Sequence, residues 1–163
     1  MVAKYFNFCI TLVAQKDLHG FEQIFNYYNK RVQFAALKNV EKLDVANNAL
    51  GSVFAYIART AKNMKPVKDP NLFMYTLADK ISKNYTPIGE VKPLKYDSTA
   101  EGEFVEMFLK MTKDEQEIFL LVFVFKLSEK AVADYLNKPI KELQERIDDI
   151  MTKYEELLQM FNL

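Results

Sequence analysis

LKMTKDEQEIFLLVFVFKLSEKAVADYLNKPIKELQERIDDIMTKY, residues 109–154, carries its own punctuation. Thr112 with Glu115 three residues later forms a capping box, which satisfies two otherwise unpaired donors at a helix start. The helix it opens contains the apolar run 118–125. Taken alone, such a Val/Phe-rich run also suits a buried strand; the cap and the flanking charges favour helix. Ser128 suits the cap of a short helix over 129–136. Asn137 then suits a tight left-handed turn, and Pro139 the first position of a new helix. From there Ile140, Leu143, Ile147, Ile150, Tyr154, Leu157 and Phe161 alternate steps of three and four, the spacing of a coiled-coil seam. Either the seam packs along its own domain, or its final turns reach past it to a partner.

Upstream the pattern is also helical. Phe21, Ile24, Phe25, Tyr28, Val32 and Ala35 share one helix face, with Asp17 as N-cap. Ala46, Ala49, Leu50, Val53, Phe54, Ile57 and Ala61 form a second face, with Asp44 as a possible cap. A loop over 62–71 follows, holding Pro66, Pro70 and the lysines 62, 65 and 68. A third helix fits 72–82, with Phe73, Leu77 and Ile81 on one face. Over 86–100 the periodicity stops, and Pro87, Gly89 and Pro93 mark a linker. No strand-rich segment or Gly-rich phosphate loop interrupts this. The expected fold is all-α, with helical domains at 1–86 and 101–163 joined by a linker at 87–100.

Composition removes most enzyme chemistry. One cysteine among 163 residues, Cys9, excludes internal disulfides, CxxC redox motifs and four-cysteine zinc sites. A single histidine, His19, removes His-based metal clusters and leaves no ordinary triad. Acidic neighbours such as Asp148 and Asp149 diverge around a helix and read as a solvated face. No catalysis, metal or cofactor is expected. The opening residues 1–14 are apolar enough to suggest a secretion signal, but Asn7 interrupts them and no small-residue cleavage site follows. The longest apolar run, eight residues at 118–125, falls far short of the ~20 that span a bilayer. A cytoplasmic protein without membrane contact is the expectation.

The charges sum to zero, 22 Lys+Arg against 22 Asp+Glu, but not evenly. Residues 1–95 hold 14 basic and seven acidic side chains, net +7; residues 96–163 hold eight and 15, net −7. A basic first half suits a polyanionic partner.

Helix, short helix, three-residue turn, helix is the helix-turn-helix layout. In detail, residues 109–154 resemble the C-terminal promoter-reading domain of bacterial RNA polymerase sigma factors of the extracytoplasmic-function type. Phe119, Leu127, Ser128, Val132, Ala133, Leu136, Leu143 and Arg146 fall in register without a gap. LVAQKDLHGFEQIFNYYNKRV, residues 12–32, resembles the opening of the same family through Asp17, Phe21 and Tyr28. ANNALGSVF at 46–54 sits where that family has A-x-D-l-x-Q-e-v-F, and FMYTLADKISKN at 73–84 where it has W-L-y-x-I-A-x-N.

The resemblance implies a region-2-like bundle followed by a region-4-like helix-turn-helix, and the partners core RNA polymerase and promoter DNA. An anti-sigma protein or a second copy of the chain is a possible further partner. Polymerase docking maps to Asn48, Gly51, Ser52 and Phe54, with Asn48 and Gly51 in place of the family's Asp and Gln. Promoter melting maps to Lys62, Lys65 and Lys68 and to the helix with Tyr75, Lys80 and Lys83, where lysines would follow phosphates and rings stack bases. The recognition helix departs furthest. The family's T-V-K-S-R reads Glu142, Leu143, Gln144, Glu145, Arg146 here, and a further Arg position is Asp149. Arg146 alone is kept as a DNA contact, because two glutamates facing phosphates are repelled. The alternative is a degenerate sigma-like protein that acts as a protein-interaction or regulatory module without sequence-specific DNA binding. Leu157, Leu158 and Phe161, at the end of the seam, are the candidate anchor for a partner or for the first domain.

Overall fold

The computed structural model describes residues 1–86 and 99–160. Among them are nine α-helices and no strand, as an all-α chain requires. They fall into two compact units, Met1–Lys92 and Pro93–Leu163. The linker expected at 87–100 lies for the most part outside the described residues, as does Phe161.

The first unit is built on one long helix. α2 (Leu18–Val40) receives α1 (Ala3–Ala14), α3 (Leu43–Thr60) and α4 (Pro70–Lys83), each packed against it. The apolar opening of the chain is therefore a helix of this bundle. Asp17 caps α2 by accepting from the His19 amide at 2.9 Å, which matches its expected role. One turn on, Gly20 lets α1 lie directly on α2: a Cβ there would stand 2.5 Å from the Cys9 carbonyl oxygen and 2.6 Å from Leu12 Cβ. The α2 face expected from periodicity is the buried one, with Ile24, Tyr28, Val32 and Ala35 at its centre. α3 starts earlier than Asp44 implies. Lys42 occupies its cap position and Asp44 lies in the first turn, where its charge still suits the helix dipole.

The second unit opens with α5 (Thr99–Lys110). α6 (Lys113–Phe119) carries the Thr112–Glu115 capping box and runs on through a wider π turn over Leu120–Val124. The 118–125 run is thus helical, and its residues supply much of the core: Ile118, Phe119, Leu120, Leu121, Val124 and Phe125 are buried. Gln116 is buried too, its side-chain amide donating to the Phe108 carbonyl of α5 at 2.9 Å. α7 (Glu129–Leu136) is capped by Ser128 and ends at Asn137 in the left-handed conformation, φ 52° and ψ 46°. α8 (Ile140–Lys153) then presents Leu143, Ile147 and Ile150 to the core.

The long seam is not continuous. The helix breaks at Tyr154 (φ −123°, ψ 33°), and α9 (Glu155–Met160) restarts beyond it and packs on α5 and α8. Leu143, Ile147, Ile150, Tyr154 and Leu157 are all buried, so this part of the seam is spent inside its own unit.

Candidate nucleic-acid interface

Lys62, Lys65 and Lys68 are all exposed, on the turn and loop that join α3 to α4. The loop has a fixed position because Asn7 of α1 holds both backbone polar groups of one loop residue. Its Nδ2 donates to the Val67 carbonyl at 2.9 Å and its Oδ1 accepts from the Val67 amide at 2.8 Å. A polar residue in the middle of an apolar opening stretch has its reason here. Asp69 then caps α4 by accepting from the Leu72 amide, and Tyr28 donates to Asn71 at 2.7 Å. Three lysines on a pinned loop make a surface that can neutralise phosphates with little ordering cost.

The aromatic part of the expected melting surface is elsewhere. Tyr75 is wholly buried and cannot stack on a base. The hydroxyl accepts from Lys38 Nζ at 2.8 Å, and the same buried ammonium pairs with Asp79 at 2.9 Å. Asn39 donates to Asp79 and to Ser82 Oγ, and Lys83 reaches the other Asp79 oxygen at 2.7 Å. Burial alone would raise the Asp79 carboxyl; hydrogen bonds from Lys38, Lys83 and Asn39 outweigh it and hold it below its ordinary value. This network turns α4 so that Met74, Tyr75, Ala78 and Asp79 face inward, while the expected core face, Phe73, Leu77 and Ile81, is only half-buried. Lys80 is exposed, and Lys83 is engaged with Asp79.

On α3, Asn48 and Gly51 are exposed and Ser52 half-buried, but Phe54 is a core residue. The Phe54 ring packs 4.9 Å from Phe25 and 6.0 Å from Phe21, which removes it from any polymerase surface. Beside Ser52 a groove of about 530 Å³ runs between α3 and α4, lined by Tyr56, Leu77, Lys80, Ile81 and Tyr85 among others.

The α8 surface is acidic and internally paired. Arg146 lies 3.7 Å from Asp114, and Lys138 bridges Asp114 at 3.5 Å and Glu142 at 3.2 Å. Gln144 donates to Glu129 of α7 at 2.9 Å. Glu142, Glu145 and Asp149 are exposed. A cleft of about 390 Å³ between α6 and α8 holds Arg146 among Asp114, Glu115, Asp149 and Lys153. Glu115 serves twice, as the α6 capping residue and as acceptor from Lys153 at 2.9 Å and the Tyr154 hydroxyl at 3.0 Å. Partial burial would raise its carboxyl; the hydrogen bonds from Lys153, the Thr112 amide and Tyr154 prevail and bring it down to about 2. Of the candidate partner anchors, both on α9, Leu157 is buried and Leu158 half-buried.

Two residues that pattern reading passes over stand out on α1, the helix that holds the basic loop. Tyr5 and Phe8 of α1 are 40% and 55% exposed, with rings 6.4 Å apart and nearly parallel at 29°. The signal was available: with Phe6, Cys9 and Ile10 on the inner side of a helix, positions 5 and 8 fall outside it. Among the described residues no group of three or more His, Cys, Asp or Glu side chains is placed to hold a metal ion, and no helix is long and apolar enough to cross a membrane.

No protein-family model matches the sequence, and no curated protein matches it by sequence. In fold, the chain is similar to the solved structure of CnrH in complex with the cytosolic domain of CnrY. The match has a TM-score of 0.63 at 14% identity and covers 95% of this chain and 97% of the other. CnrH is an extracytoplasmic-function sigma factor, and the all-α fold of this chain is of that kind.

Proposed function

We propose that the chain is a sigma-type transcription initiation protein, in which the first unit engages core RNA polymerase and the separated promoter strand. The observation that carries this reading is the fold shared with CnrH over nearly the whole of both chains. Family-like motifs also occur in the expected order in both halves of the sequence. Docking to polymerase would use the exposed part of α3, Asn48, Gly51 and Ser52. Strand capture would use the pinned loop with Lys62, Lys65 and Lys68, helped by Lys80. No covalent chemistry is required. Binding energy spent on an open strand favours the melted promoter over the closed one.

The second unit fits a different partner. Its α8 exposes Glu142, Glu145 and Asp149 where a major groove would present phosphates, and Arg146 is already beside Asp114. This favours protein contact over duplex reading for that unit. CnrH was solved with the cytosolic domain of CnrY, so a regulatory protein of the anti-sigma kind is the partner class we assign to this chain.

The test is reconstitution with core polymerase from the source cell. We expect co-elution in size exclusion, and transcription from a template with a pre-melted mismatch bubble that exceeds that from the closed duplex. A chain that never co-elutes with core polymerase, but captures a small regulatory protein, belongs to the degenerate-module reading instead.

A further inference from the structure

We propose that Tyr5 and Phe8 of α1 form the base-stacking platform of a single-strand site whose phosphate-binding part is the Lys62–Lys65–Lys68 loop. The inference rests on the strand-capture reading above and assigns the rings that the buried Tyr75 cannot supply.

The geometry comes from one clamp. Lys4, Asn7, Phe8 and Thr11 are spaced i, i+3, i+4, i+7 and share a stripe of α1. Asn7, in the middle of that stripe, makes both hydrogen bonds to the backbone of Val67. Phe8 is the next residue along α1 and Lys68 the next along the loop, each one Cα step of about 3.8 Å from the clamped pair. The α1 stripe that carries Phe8 and the loop that carries Lys68 are thus pinned to each other through the Asn7–Val67 clamp, though 60 residues separate its two partners in sequence.

The rings have the form a stacking platform needs. Phe8 is more than half exposed, and Tyr5 lies along it in stacked orientation. The Tyr5 hydroxyl donates to Gln23 of α2 at 3.1 Å, so that ring is held from the far side. Exposed aromatic rings of this size have a cost in water and mark contact sites when they cluster. Lysine is depleted in protein–protein interfaces, whereas rings among lysines are the pattern of sequence-tolerant single-strand binding. The acid nearest in sequence, Asp69, has its carboxylate engaged as the α4 cap, where the positive end of the helix dipole partly offsets its charge.

The experiment uses the full chain and a fluorescein-labelled dT15 oligonucleotide, titrated by anisotropy at several salt concentrations. Tyr5→Ala and Phe8→Ala should each weaken binding about five-fold or more, with the salt slope unchanged, because stacking involves no counterion release. Phe8→Tyr should bind as the parent does. The chain has no Trp, so Phe8→Trp introduces a single reporter whose fluorescence should be quenched on adding unlabelled dT15. Thermal melts confirm that these surface variants fold. Parent-like binding by both alanine variants, together with an unquenched Trp, overturns the platform; loss of binding in a Lys65→Ala/Lys68→Ala variant then shows that the basic loop still binds alone. A parent chain that does not bind dT15 overturns both the platform and the strand-capture reading. A Trp that shifts to the blue with phosphatidylserine vesicles, yet ignores dT15, makes this face a membrane contact and overturns the proposal as well.

Discussion

Lys38 and Asp79 take opposite charges into a core that admits almost no water, and the rest of the α2–α4 contact is arranged around them. Removing one partner leaves the other charge buried. Asp79→Leu, which takes the carboxylate away from the buried Lys38 ammonium, should therefore destabilise the chain by about 3 kcal/mol, while Lys38→Met/Asp79→Leu, which removes both charges, should recover part of the loss. Urea unfolding of the two variants reads the difference directly. The pair also explains a misread face. Periodicity assigns charged residues to solvent, so it set Phe73, Leu77 and Ile81 inward; a buried lysine–aspartate pair turns the helix by about one residue and is invisible to a hydrophobicity count. Caps are legible for the opposite reason, because Asp17, Thr112, Glu115 and Ser128 act on amides two or three residues away. Glu115 offers the pH test. Its folded carboxyl titrates near 2 against an ordinary value of 4.5, so it contributes stability above about pH 4.5 that is lost as the pH falls toward 2. Glu115→Gln keeps the cap and loses the charge. Its thermal midpoint should change less than the parent's between pH 5 and pH 2.

Helices in this chain touch through small features that sequence pattern shows only in part. Gly20 and Gly51 both lie inside helices, where glycine is unfavourable by about 1 kcal/mol relative to alanine. Their surroundings reverse the outcome of the same substitution. A Cβ at Gly20 meets α1 backbone at 2.5 Å, so Gly20→Ala should force α1 off α2 and lower stability by about 2 kcal/mol. A Cβ at Gly51 meets nothing within 4 Å, so Gly51→Ala should raise stability by about 1 kcal/mol. Chemical unfolding of the two variants checks both signs. The break at Tyr154 belongs to this scale as well. No Gly or Pro marks it, and the step pattern through Ile150, Tyr154 and Leu157 is unbroken. What stops α8 is tertiary: Tyr154 donates to Glu115 on α6, and α9 settles on α5. A heptad count has no access to either partner.

Across the whole molecule, charge distinguishes the two units more clearly than packing does. The +7 and −7 halves were readable by counting, and so was the acidic replacement of a recognition helix. Which lysines are available was not, since exposure depends on folded neighbours: Lys38 is buried, Lys83 is paired, and Lys62, Lys65 and Lys68 stand in solvent. Replacing those three with Ala should weaken single-strand binding similarly for all sequences and flatten the logarithmic salt dependence by about 0.7 per lost phosphate contact. Arg146→Ala should leave the same titration unchanged, because that guanidinium already lies against Asp114. Anisotropy at four or five salt concentrations measures both.

The Asn7 clamp has a further consequence, in the order of folding events. A contact spanning 60 residues closes a long loop, and such contacts form late because chain entropy opposes them until the rest of the bundle is in place. A nascent chain that has made only α1 and α2 would carry the exposed rings without the loop beside them. A locally frayed α1 would leave the loop without its anchor. Only the finished first unit holds both together, so a strand bound across them would act as a ligand of the native state alone and should raise its thermal midpoint with oligonucleotide concentration by simple mass action.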